Sequence, residues 1–265
     1  MGVLNVTPDS FSDGGLYASF EAAVARGLEL LAQGADVVDV GGESSRPGAE
    51  PVPLDVELAR VVPVVEALAA PAAAAGARIS VDTVKPEVAR AAVAAGAGLV
   101  NDISASLWEV AAETGAAWVA MHMRGEPRSM QDDPRYGDVV AEVHAFVLAR
   151  ARTARAAGVG EVWVDPGIGF GKTAAHNLSL LHHLPALVEE AAAAGCAGVL
   201  VGTSRKRFLG LLAAGPGAAE PAPISARAEG SLATAAAAMV AGAGMVRVHD
   251  VAATVQVARL YGPGA

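Results

Sequence analysis

Short runs of β-branched and other apolar residues alternate along the chain with alanine-rich stretches whose apolar positions recur at helical spacing. This is the pattern of repeated βα units feeding a parallel sheet. Eight runs predict strands, at Gly2–Asn5, Ala35–Val40, Arg78–Val81, Gly98–Asn101, Ala117–Met121, Glu161–Val164, Gly198–Val201 and Met245–Val248. The stretches between and after them predict helices over Ser19–Gln33, Leu54–Ala75, Pro86–Ala95, Ser106–Thr114, Gly137–Ala157, His176–Ala194, Ile224–Ala241 and Val251–Leu260. Glycines punctuate the ends of most of these helices, where a left-handed residue closes the last turn. No linker-like tract or shift in composition interrupts the series, so residues 1–265 are expected to form one domain. Eight βα units predict an α/β protein with a (β/α)8 TIM barrel; an open doubly wound sheet is the structural alternative.

Barrel enzymes place their chemistry on the loops that follow the strands. Polar residues should therefore gather at strand C-termini, and they do: Asn5, Asp39, Asp82, Asn101 and Asp102, His122, Asp165, the run Ser204-Arg205-Lys206, and Arg247 with His249. Taken singly, Asp39 or Asp82 would read as a turn cap and Asn101 as an Asx-turn. Taken together at one end of a barrel, they read as a polar active-site mouth. Arg247 and His249 stand two apart on the last strand, on the same side, next to the basic loop of the seventh. A guanidinium fork, an ammonium and an imidazole at that corner suit an anion. Asp82, Asn101 and Asp165 add donors and acceptors fit for a flat heterocycle with an amino-pyrimidinone edge, although a sugar phosphate or an indole would use similar groups.

Composition narrows the field. A formal net charge of −9 argues against a nucleic-acid scaffold while leaving a small anionic substrate open. The most apolar stretches are broken by Pro71, Thr234, Gly242 and Gly244, so no transmembrane span is expected. The start of the chain lacks signal-peptide features, and one cysteine, Cys196, fits a reducing cytosol, so a cytoplasmic location is expected.

Several motifs are only apparent. The run from Asp165 to Thr173 mimics a P-loop, yet the first glycine of that pattern falls on Pro166, and the third glycine of the dinucleotide fingerprint falls on Lys172. Asn5-Val6-Thr7 and Asn177-Leu178-Ser179 match glycosylation sequons of no consequence in the cytosol. His182 and His183 fall in mid-helix and read as packing or solvated residues, Cys196 as a small buried hydrophobe, and Trp108, Trp118 and Trp163 as packing residues. No Ser-His-Asp arrangement is evident.

The ordered motifs resemble the dihydropteroate synthase family of pterin-binding enzymes through nearly the whole chain. They are Leu4 to Gly15, Asp39 to Gly48, Ser80-Val81-Asp82-Thr83, Asn101-Asp102, Met121-His122-Met123, Asp165 to Lys172, Ser204-Arg205-Lys206 and Arg247-Val248-His249-Asp250. The resemblance implies a transferase that condenses 6-hydroxymethyl-7,8-dihydropterin pyrophosphate with p-aminobenzoate, the step that sulfonamides block. It implies that Asp82, Asn101, Asp165 and Lys206 bind the pterin, and that Asn5, Arg247 and His249 hold the pyrophosphate. Asn5 and Asp13 would lie near a Mg2+ ion, the implied cofactor, a cation that favours oxygen ligands and substrate phosphates. Phe11, Ser45, Pro47, Phe170, Ser204 and Lys206 would shape the p-aminobenzoate pocket. Asp82, Lys206, Arg247, His249 and Asp13 would carry the catalytic burden, without a covalent nucleophile, and the partners implied are these small molecules and a second copy in a homodimer. Position 45 is Ser where the family usually has Thr. Relatives usually carry residues upstream of the first motif that help close the bottom of the barrel, and the barrel is expected without that N-terminal extension. Two rivals are a methyltetrahydrofolate-binding methyltransferase and a non-catalytic pterin-binding paralogue. The first is not expected to need both the Ser-rich first loop and the basic corner, and the second is expected to have lost anion or p-aminobenzoate residues that this chain keeps.

Overall fold

The structure is a computed structural model that describes residues 1–7, 15–44, 48–215 and 220–261. Eight strands line up in sequence order, each parallel to the next: β1 (Gly2–Asn5), β2 (Val37–Gly41), β3 (Arg78–Asp82), β4 (Leu99–Asp102), β5 (Ala117–Met121), β6 (Val162–Asp165), β7 (Gly198–Val201) and β8 (Met245–Val246). The sheet closes on itself where Gly2 bridges Val248, with Val3 N donating to Val248 O at 3.0 Å and Val248 N to Met1 O at 2.9 Å. The result is the expected barrel. β8 stops at Val246 rather than at Val248, because Arg247 N turns to Val201 O while Val248 pairs across the seam.

Helices α1 (Gly15–Ala32), α2 (Leu54–Ala74), α3 (Pro86–Ala94), α4 (Trp108–Thr114), α5 (Val139–Ala156), α6 (Ala174–His182), α7 (Leu184–Ala193), α8 (Arg207–Ala214), α9 (Ala228–Val240) and α10 (Val251–Tyr261) accompany the strands, with a 3-10 turn at Ile224–Arg227 before α9. Two depart from the sequence reading. The helix expected over His176–Ala194 is broken at His183, which takes φ −96° and ψ 10°, because Pro185 has no N–H to carry the ladder on. His182 and His183 therefore sit at the end of α6 and in the joint, not in mid-helix. The second is α8, eight residues entered directly from Lys206, too short for its periodicity to stand out. No described helix is long and apolar enough to cross a membrane.

Two apolar regions hold this arrangement. The larger fills the space between sheet and helices, with Leu4, Val40, Leu68, Val81, Trp118, Val164 and Leu187 all buried. The smaller plugs the lower barrel interior with Val37, Leu99, Ala117, Val119 and Leu200, against which Trp163 and Met245 pack. Alternate side chains of a strand face opposite sides, so residues two further along β2, β4, β6 and β8 continue this inward column at the strand C-termini. Those residues are Asp39, Asn101, Asp165 and Arg247. At the strand N-termini, Arg78 forms a two-pronged ion pair with Glu161 at 2.9 Å, and Trp163 Nε1 donates to the same carboxylate at 2.7 Å.

Candidate active site

The strand register gathers the polar column into one mouth. Gly41 pairs with Asp82, and Asp82 with Asn101, placing the ends of β2, β3 and β4 level. From the opposite wall Arg247 reaches across the mouth, donating from Nε to Asp39 Oδ2 at 2.6 Å and from Nη2 to Asp82 Oδ2 at 2.8 Å. Asn101 Nδ2 donates to the same Asp39 oxygen at 2.9 Å. Asp39 is fully buried and its Oδ1 has no hydrogen-bond partner. It thus fixes an arginine and an amide whose remaining groups face the mouth.

Burial pushes the Asp82 carboxyl up to about 7. The Arg247 guanidinium opposes the shift, and the neighbouring Asp39, Glu57 and Asp102 charges reinforce it. Burial works against the charge on Arg247, but Asp39 and Asp82 outweigh it and hold its pKa above the usual value. Asp165 is likewise raised by burial, against the pull of Lys206 and of the Gly167 N–H that its Oδ1 accepts at 2.7 Å. Burial lowers Lys206 to about 8 in spite of Asp165. The Lys206 ammonium donates to Ile168 O and lies 4.5 Å from the centre of the Phe170 ring. Two carboxyls and two cations thus gather at one end of the barrel, Asp165 buried and Asp82, Lys206 and Arg247 partly exposed, each poised for a ligand that changes the balance of charge.

Between them the seventh and eighth strand ends form a rigid corner. Ser204 Oγ lies 3.0 Å from His249 Nδ1 and accepts the His249 backbone N–H at 3.1 Å. Arg205, at φ 59°, is held in its left-handed conformation by an ion pair with Asp250 and by Ser231, which accepts its N–H at 2.9 Å. Asn5 ends β1 half-buried, and its carboxamide has no hydrogen-bond partner among the described residues. Phe11, Asp13, Ser45 and Pro47 lie outside the described residues.

Three features went beyond the sequence reading. Asp39 was visible as a strand-end acid, but not as the residue that joins Arg247 to Asn101. Glu57, buried in the first turn of α2, accepts from Thr83 Oγ1 at 2.7 Å and shares the Lys85 ammonium with Glu43, whose carboxylate also accepts Val52 N at 3.2 Å. An acid at a helix start ordinarily reads as a partner of the helix dipole, so no sequence signal set Glu57 apart. Asp102, adjacent to Asn101, faces away from the mouth. It collects the N–H groups of Ser104, Ser106 and Leu107 and the indole of Trp118, which makes it the organiser of the β4–α4 loop.

The family model described as "Pterin binding enzyme" matches residues 1–249. A dihydropteroate synthase of Mycobacterium leprae is 47% identical over 270 residues, spanning 99% of this chain and 92% of the relative. A solved dihydropteroate synthase of Xanthomonas albilineans with 4-aminobenzoic acid superposes with a TM-score of 0.86 at 48% identity, covering 98% of this chain and 90% of that one. A structure of the Xanthomonas albilineans enzyme in complex with 7,8-dihydropteroate gives 0.81 at 44% identity, with 98% and 91% covered.

Proposed function

The chain belongs to the pterin-binding enzyme family, in its dihydropteroate synthase branch, and we propose that its mouth performs that synthesis through the residues described above. The substrates on this reading are 6-hydroxymethyl-7,8-dihydropterin pyrophosphate and p-aminobenzoate. The observation that carries the reading is the convergence of Asp82, Asn101, Asp165, Lys206 and Arg247, on or just beyond five different strands, at one end of the barrel.

Asp165 and Asn101 bind the amino-pyrimidinone edge, a carboxylate accepting the paired N–H groups and an amide matching donor to acceptor. Lys206 bonds the ring from the other side and stands between the pterin and the p-aminobenzoate pocket, whose described members are Phe170, Ser204 and Lys206 itself. Arg247 keeps Nη1 for an anion while Asp39 and Asp82 hold its other nitrogens, and with His249 and Asn5 it receives the pyrophosphate. As the C–O bond breaks, its electron pair leaves with the pyrophosphate and positive charge grows on the pterin methylene. Ionised Asp82 faces that charge. The aniline nitrogen then forms the C–N bond and gives up a proton to solvent, so the products are 7,8-dihydropteroate, pyrophosphate and that proton.

Asn5 fits a Mg2+ ion, because an amide oxygen without a partner among the described residues is a hard donor, and this cation keeps waters and phosphate oxygens as its other ligands. Asp13 is the second residue proposed to hold it. When bound, the ion neutralises charge on the departing pyrophosphate.

Incubation of the folded protein with both substrates and Mg2+ should yield dihydropteroate and pyrophosphate in equal amounts; the absence of both products overturns the reading. Lys206→Ala should weaken pterin binding and lower kcat/KM by about a hundredfold or more. Near-wild-type values for that variant would remove Lys206 from the site.

A further inference from the structure

The run that imitates a P-loop is built the other way round. In a phosphate-binding loop the backbone N–H groups point at the ligand. Here each carbonyl oxygen from Gly167 to Gly171 accepts a side-chain donor. Gln131 takes Gly169 O, Tyr136 takes Gly171 O at 2.8 Å, and Lys206 takes Ile168 O. Lys172 takes two, Gly167 O at 2.9 Å and Phe170 O at 3.0 Å, and completes its set with His122 Nδ1 at 2.9 Å. An ammonium has three N–H groups, and these are its three short contacts; His122 O is a more distant fourth at 3.3 Å.

Lys172 is 3% exposed, and no carboxylate among the described residues takes a hydrogen bond from it. Burial lowers its pKa to about 7 although Asp165 opposes the shift, and the protonated form is costly to hold there unless every donor is used. The loop has little room to do otherwise. Gly167 has φ 65° and lies so close to β5 that a Cβ there would meet His122 O at 1.8 Å. Burial, and then Lys172 itself, lower the His122 pKa to about 3 and keep it neutral, so that in the Nε2–H tautomer Nδ1 is free to accept.

We propose that Lys172 is the positioning residue for the p-aminobenzoate side of the site. By drawing Gly167 O, Phe170 O and His122 Nδ1 onto one ammonium, it shapes the loop that hands Lys206 its carbonyl partner and its aromatic neighbour. This rests on the dihydropteroate synthase reading for the identity of the substrate, but the clamp itself is a property of the loop.

The test compares wild type with Lys172→Met, which keeps an unbranched chain and removes the three donors. The KM for p-aminobenzoate should rise about tenfold, with kcat and the KM for the dihydropterin pyrophosphate changed by less than about threefold. Amide exchange in the peptide over residues 166–171 should quicken even without substrate. In a Phe170→Ala background the same substitution should add less than about twofold to the p-aminobenzoate KM, because the ring it positions is gone. Equal rises in both KM values, a loss confined to kcat, unchanged loop exchange, or full additivity with Phe170→Ala would each overturn the proposal. Should Lys172→Met not fold, His122→Leu removes one acceptor alone and should move the p-aminobenzoate KM in the same direction by less; an unchanged KM in that folded variant is equally fatal. A wild-type protein that makes no dihydropteroate defeats the substrate reading, whereas the loop-exchange contrast judges the clamp independently.

Discussion

Replacing Asp39 by asparagine separates charge from geometry in the mouth of the barrel. Asp39 uses a single oxygen, Oδ2, to accept from both Arg247 and Asn101. An asparagine can put its carbonyl oxygen in that place and its amide nitrogen where the unpartnered Oδ1 stands. The bonds survive and the negative charge goes. Like unit charges about 5 Å apart in a medium of effective dielectric about 20 repel by about 3 kcal/mol, or about two pKa units. Arg247 is partly open to solvent at 22% side-chain exposure, so we discount that figure and expect the Asp82 pKa to fall by about one unit. Release of Arg247 to pair more fully with Asp82 acts in the same direction. If ionised Asp82 opposes the cationic pterin, kcat/KM in wild type rises as pH climbs through about 7. In Asp39→Asn that limb should move to about pH 6. The plateau should drop by about five- to tenfold, since a charge-assisted bond exceeds a neutral one by about 1 kcal/mol. The assay is kcat/KM for the dihydropterin pyrophosphate across the pH range, with Asp82→Asn, in which the limb should vanish, as control. A limb that stays put or moves to higher pH would refute the charge network.

Other expectations follow from the same geometry. Glu57→Leu strips a buried carboxylate from Thr83 and Lys85 and should cost about 2–4 kcal/mol in urea denaturation; wild-type stability would show that the pairing at the foot of the β2–α2 loop is idle. Arg78→Ala breaks an ion pair whose partners are 41% and 37% exposed, so it should cost no more than about 1 kcal/mol. Because that pair sits at the opposite end of the barrel from the mouth, both KM values should be unchanged; a tenfold loss of kcat/KM would contradict the separation of the two ends.

The sequence made the barrel legible because parallel strands buried on both faces leave unbroken apolar runs and the helices between them are long enough to show their period. It was less informative where elements are short. α8 had only eight residues to declare itself, and the joint at His183 depended on reading Pro185 as the first turn of a new helix rather than as a residue inside one long helix. The mouth was visible because its residues recur at strand ends. What could not be read was which acid faces which cation. Asp39 and Asp82 look alike in sequence, yet one is sealed beneath Arg247 and the other carries the shifted proton. Lys172 stood in plain view as the lysine of a false P-loop, and only its three acceptors show why a lysine is there.

Closure of the barrel sets the order in which the mouth can be completed. Every other seam joins strands made one after the other, but Arg247 meets Asp39 across 208 positions of chain and lies beside the Gly2–Val248 bridge. During synthesis the acids of β2 and β3 emerge long before their counter-charge. Until the last strand docks, the acids of β2 and β3 lack the guanidinium that balances them in the closed barrel. Completion of the anion-binding corner is therefore tied to sealing of the sheet, because both wait for the last strand.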